Sequence, residues 1–190
     1  MKTRASRLAG AIVLGLSLIA LAGPAPALAE ERTCRGEIGQ RTVDNLRVPD
    51  GATCTLRGTT VKGTIKVESR ATLLAYGVRV VGNVQGENAQ KVLVAAGSRV
   101  GGSVHVVQGR IAKVVDSRIV GNILFDENRW TNTANRNVVN HDVQVFQNTG
   151  GARIHDNRID GNLQCKQNHP RPVGSGNVVQ GNKEDQCRSL

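Results

Sequence analysis

His141, Asp142, His155, Asp156 and Asp160 are the side chains best suited to acid–base work in this chain. Imidazole and carboxylate groups gathered on one face could supply the proton donor and acceptor that hydrolysis or elimination on a polysaccharide needs. Their spacing argues against a single constellation. Asp142 belongs to a repeated column of small polar residues, and His155 and Asp156 follow more than ten positions later. Other acids, Asp44, Asp50, Asp116, Asp126 and Glu127, are scattered, and only Trp130 and Tyr76 could serve as sugar platforms. His105 and His169 stand alone, and no nucleophile elbow, HExxH helix or phosphate loop is present. The expectation is a protein with no catalytic residue, cofactor or metal. The alternative is a polysaccharide lyase or hydrolase.

A different set of residues is strictly periodic. Asn45, Thr64, Asn83, Ser103, Asn122, Asp142, Asn162 and Asn182 recur every 19 or 20 positions. From Thr64 on, each follows one member of the column Gly63, Gly82, Gly102, Gly121, His141, Gly161, Gly181. Short polar side chains after a bend can bond to nearby backbone or to one another up a stack, so this ladder reads as structural. Glycine at the bend suggests a backbone conformation closed to other residues. A second column, Arg79, Arg99, Arg118 and Arg158, precedes the β-branched residues Val80, Val100, Ile119 and Ile159. Stacked like charges repel unless paired or solvated. Asp116 and Asp156, two residues upstream, are the expected partners for a solvated ladder. The sharper reading is a candidate contact stripe for an anionic polymer.

These columns need elements to hold them. After the glycine column the chain alternates apolar residues, as in Ile65/Val67, Val104/Val106, Ile123/Phe125, Val143/Val145 and Leu163/Cys165, one face in and one out. The segments are rich in Val, Ile, Thr, Asn and Gly, which disfavours a helical repeat. The fold expected is all-β: a single parallel β-helix of about seven to eight coils. The polar run Glu127–Asn137, holding the lone Trp, reads as a looser exposed part of the wall, and the polar end Lys183–Cys187 as a cap.

Cys34, Cys54, Cys165 and Cys187 are even in number, which in an exported chain implies two disulfides. Cys34 and Cys54 lie 20 apart and Cys165 and Cys187 lie 22 apart, each about one coil. Strands one coil apart sit about 4.8 Å from each other, within the Cα separation a disulfide tolerates. The expected pairs are Cys34–Cys54 and Cys165–Cys187, one staple at each end. No C-x-x-C pair supports zinc.

Residues 1–29 read as a secretory signal. Lys2, Arg4 and Arg7 are basic, Leu8 to Leu21 is apolar, and Pro24 to Ala29 ends in a small-x-small pattern. Residues 30–190 then form the β-helix domain with stapled ends, and no segment of it is apolar enough to span a membrane. Without the three leader bases, 22 Lys and Arg face 15 Asp and Glu, leaving +7. That excess points to acidic envelope polysaccharide as the partner; self-association is the alternative. Four aromatic residues are too few for a base-stacking surface, so nucleic acid is disfavoured. The expected location is secreted, or periplasmic within the cell envelope, and the role structural or binding.

The units Val61 to Ile65, Val80 to Val84, Val100 to Val104 and Ile119 to Ile123 follow V-x-G-[NTS]-V. In this periodicity the chain resembles the bactofilin, or polymer-forming cytoskeletal, β-helix, although its leader and cysteines depart from those cytosolic proteins. Gly51-Ala-Thr-Cys-Thr-Leu56, Phe125-Asp-Glu-Asn-Arg129, Gly161-Asn-Leu-Gln-Cys165 and Gly181-Asn-Lys-Glu-Asp-Gln-Cys187 more closely resemble a group of uncharacterised secreted bacterial β-helix proteins. The bactofilin resemblance implies a right-handed, single-stranded solenoid that associates end to end. Neither resemblance supplies catalytic residues.

Overall fold

The computed structural model describes residues 30–190, so the expected leader lies outside the described residues. The described residues are all-β, a β-solenoid of about eight turns whose short strands pair in parallel with their equivalents one coil on. Three sheets result, of nine, eight and eight strands. We call them A, B and C in the order each coil visits them. The third coil shows the plan: Ile65–Val67 in sheet A, Thr72–Tyr76 in sheet B, Arg79–Val80 in sheet C.

Side-chain alternation drives this arrangement. In sheet A, Ile65, Val84, Val104, Ile123, Val143 and Leu163 stack in register and point inward. Sheet C contributes Val61, Val80, Val100, Ile119, Val139 and Ile159, and sheet B contributes Leu73, Val92, Ala112 and their successors. Burying one Val, Leu or Ile stabilises by about 1.5–3 kcal/mol, and a one-residue slip would expose a whole column. The register is therefore well specified. Gly86 occupies an inward column that Val67, Val106 and Phe125 also fill. A Cβ there would come within 2.8 Å of the Val92 side chain.

Both ends are closed. Cys34 is bonded to Cys54 and Cys165 to Cys187, and all four are buried. The polar C-terminal segment folds over the last coil, with Cys187 and Leu190 turned inward. Gln186 replaces the missing next coil: its Oε1 accepts the Asn168 amide, and its Nε2 donates to the Asn168 carbonyl.

The run Glu127–Asn137 is not a looser part of the wall. Asn132–Asn135 is a regular strand of sheet B, paired on both sides. Asn128, Asn132 and Asn137 are buried, and the side-chain amides of all three donate to backbone carbonyls. Trp130 is exposed, with the Arg110 guanidinium over its ring at 5.2 Å.

Candidate functional site: the arginine face of sheet C

Each coil turns three corners, and a side-chain ladder can occupy each. At the corner from sheet C to sheet A stand Asn45, Thr64, Asn83, Ser103, Asn122, Asp142, Asn162 and Asn182. Each side-chain oxygen accepts the backbone N–H of the next member, at 2.7–3.3 Å. The glycine column beside them is not there for an unusual backbone angle. Gly63, Gly82, Gly102, Gly121, Gly161 and Gly181 all lie outside the left-handed region. A Cβ at any of them would strike the ladder side chain of the coil before, for example Thr64 Oγ1 at 2.8 Å from Gly82. Glycine here makes room for the ladder. Left-handed residues occur at the other two corners, most of them not glycine: Arg70, Gln108, Glu127, Gln147 and Gln167 at one, Asp116, Arg136 and Asp156 at the other.

Two further ladders occupy those corners. Asn128, Asn148 and Asn168 line the turn from A to B, and Asn137, Asn157 and Asn177 the turn from B to C. All six are buried. Their Oδ1 atoms accept the backbone N–H of the equivalent residue one coil earlier at 2.8–3.1 Å. Their Nδ2 atoms donate to strand carbonyls at 2.6–2.9 Å. Sequence reasoning missed both ladders, although the 20-residue spacing of 128, 148 and 168, and of 137, 157 and 177, was there to find.

The acid–base candidates do not converge. Asp142 is a ladder member whose Oδ1 accepts from Asn162. His141 takes an exposed place in the glycine column. His155 lies on sheet B with Nδ1 3.3 Å from Ser175 Oγ. Asp156 sits at the turn out of sheet B, and Asp160 lies 3.8 Å from Arg158. Among the described residues no three His, Cys, Asp or Glu side chains are grouped to hold a metal ion.

The arginine column separates into two parts. Arg79, Arg99 and Arg118 pair directly across neighbouring strands of sheet C, all exposed. Val138 occupies the next rung, so Arg158 stands apart, beside Asp160. The expected pairing with Asp116 and Asp156 does not form. Asp116 lies on the left-handed turn before sheet C, where its neighbour is the equivalent turn residue one coil on, Arg136. Arg136 donates to both Asp116 oxygens, at 2.6 and 2.8 Å. These hydrogen bonds hold the Asp116 carboxyl below the ordinary range and raise Arg136. Arg79, Arg99 and Arg118 have no carboxylate within ion-pair distance among the described residues. They line an open groove of about 530 Å³ together with Val81, Gly101 and Val120.

A second groove, of about 700 Å³, lies on the outer face of sheet A beside its turn into sheet B. Asp50, Lys66, Glu68, Glu87 and His105 line it. Glu68 is committed, accepting from Arg47 and from the Asp50 amide. Burial lowers the His105 pKa. Nearby on the same face, desolvation and then the Glu127 charge raise Asp126.

No family model, curated protein or solved structure matches this chain. The two disulfides fit an oxidising, extracellular environment. No helix among the described residues is long and apolar enough to cross a membrane.

Proposed function

We propose that this is an exported, non-catalytic β-solenoid of the cell envelope or surface, and that sheet C holds acidic polymers. One observation carries the reading: Arg79, Arg99 and Arg118 stack on adjacent rungs without a carboxylate partner. Like charges directly opposite one another destabilise a sheet. Elsewhere the chain offsets such rows, as in the Asp116–Arg136 pair. An anionic chain lying along sheet C relieves the repulsion from outside. Arginine suits this task because its planar fork binds carboxylates in bidentate fashion.

Purified protein passed over immobilised acidic polysaccharide tests the proposal. Retention at low salt should fall as salt rises, because the Debye length shrinks to about 8 Å near 0.15 M. Replacing all three, Arg79→Gln, Arg99→Gln and Arg118→Gln, should weaken binding about 30-fold if each exposed pair contributes about 0.7 kcal/mol. Binding indifferent to salt or to the triple replacement would defeat the reading.

The second reading, a polysaccharide lyase or hydrolase, draws on the sheet A groove with Glu87 and His105. Turnover of an acidic polysaccharide abolished by Glu87→Gln would establish it in place of the first.

A further inference from the structure

Resting on the polyanion reading of sheet C, we infer the ligand class and its register: a carboxylated polysaccharide bound parallel to the solenoid axis, three sugars at a time. One carboxylate meets each of Arg79, Arg99 and Arg118, and the C–H faces of the sugar rings lie against Val81 and Val120.

The spacing comes from the backbone. Parallel pairing fixes adjacent rungs about 4.8 Å apart, so the three guanidinium groups spring from a ruler that side-chain motion only blurs. A hexuronic acid polymer carries one carboxylate per ring, a repeat of the same order. The ruler is short. Thr60 precedes Arg79 in the column and Val138 follows Arg118, so the column carries no charge on either neighbouring rung, and Lys62 beside Thr60 is already paired with Asp44. Arg158, two rungs beyond Arg118, already faces Asp160.

The neighbouring column selects against other anions. Alternation puts the residue two places after each arginine on the same outer face. Those residues are Val81, Gly101 and Val120. Val81 is 58% exposed and Val120 is 44% exposed, both high for a β-branched aliphatic side chain. Gly101 between them leaves bare backbone, and the notch is built in, because a Cβ there would run into the Val81 carbonyl. A cationic column beside an apolar column with a central notch matches a ligand that has a carboxylate edge and an apolar ring face. Polyphosphate has the charge without the face. Nucleic acid bases would need aromatic stacking partners, and the groove is lined by none.

Calorimetry with uronic acid oligomers of one to six sugars tests the register. Affinity should rise about threefold per sugar up to three, one exposed charge-assisted contact each. Beyond three it should grow only in proportion to the number of three-sugar windows in the chain. Tripolyphosphate should bind more weakly than the trisaccharide. The double variant Val81→Ser/Val120→Ser, checked for an unchanged melting temperature, should weaken the trisaccharide several-fold and leave tripolyphosphate unaffected. Equal steps continuing through six sugars, or a double variant without effect on the trisaccharide, would overturn the inference. If the polymer still needs the three arginines in that case, the wider reading of sheet C survives. If it does not need them, both fall.

Discussion

At the turn from sheet A to sheet B the early coils place Ala52, Ala71 and Ala89, and the late coils place Asn128, Asn148 and Asn168. At the next turn Thr59, Val78 and Ser98 give way to Asn137, Asn157 and Asn177. The backbone path differs as well, the left-handed residue falling three places after Val48 and Val67 (Gly51, Arg70) but two after Phe125 and Val145 (Glu127, Gln147), and the orphan amides are satisfied differently. Ala52 and Ala71 donate to Pro49 and Glu68 in the same turn, closing it locally. Asn128 and Asn148 donate to the side chain of the next coil, tying coil to coil. Apolar bulk does not follow this change: Leu46, Leu56, Ile65 and Leu73 fill the early interior, and Phe125, Ile154, Ile159 and Leu163 the late one. The corner of a solenoid can thus be closed within its own turn or by a buried amide ladder, and this chain changes from one to the other near its middle.

Breaking a buried ladder should show the largest effect. Asn148→Leu removes the acceptor for the Asn128 amide and the donors to the Phe125 carbonyl and to Asn168. Stranded buried polar groups cost about 1–3 kcal/mol each, so we expect a loss of about 3–4 kcal/mol in urea unfolding. A loss below about 1 kcal/mol would mean that the asparagines merely fill space. The reverse exchange, Ala71→Asn, sharpens the comparison. The amide from which the new side chain would accept, that of Ala52 one coil earlier, is already satisfied by Pro49, so the side chain enters an apolar corner without a waiting partner. It should destabilise by about 2 kcal/mol.

The outer ladder is common to both halves and should not distinguish them. Asn83→Leu and Asn122→Leu each leave one amide, of Ser103 and of Asp142, without its acceptor. Both positions are half-buried, so water makes up part of the loss, and a similar cost of about 1–2 kcal/mol is expected for each. A much larger cost at Asn122 than at Asn83 would tie the outer ladder to the inner ones.

What could be read in advance follows from which contacts are local. Alternation and the Val-x-Gly-Asn unit are written within a few residues, and they led to the coil, its period and the disulfide pairs Cys34–Cys54 and Cys165–Cys187. The buried asparagines are not local. Asn128 is polar in a polar run and looks like loop until Asn148 is placed above it. The glycine column was legible, but its cause was not, because the obstacle at Gly82 is a side chain 18 residues back. Spacing along the chain suggests one arginine stripe of four, although Val138 interrupts it between Arg118 and Arg158. Asp116 was matched to Arg118 by proximity along the chain, whereas the turn between them sends Asp116 to Arg136, one coil on.

The smallest effects expected are in the acid titration, and they also separate the halves. In the early half, burial lowers the His105 pKa, so the folded state resists the proton that the unfolded chain accepts. Its contribution is present above about pH 6.5, the ordinary histidine value, and is lost as pH falls through the depressed folded value. His105→Gln should remove that decline, and glutamine already fills the same column at Gln85 and Gln144. Toward the late half, the hydrogen bonds from Arg136 lower Asp116, so its contribution holds above about pH 4 and disappears below it. Asp116→Asn should flatten only this lower step. Asp126 opposes it: its raised pKa makes the fold lose stability as pH rises through the carboxylate range. Thermal midpoints measured from pH 3 to 8 on the two variants and the parent should therefore separate in two windows. The His105→Gln difference belongs near pH 6 and the Asp116→Asn difference near pH 3–4, about where the ordinary values lie. Both differences falling in one window would show that the two sites titrate together.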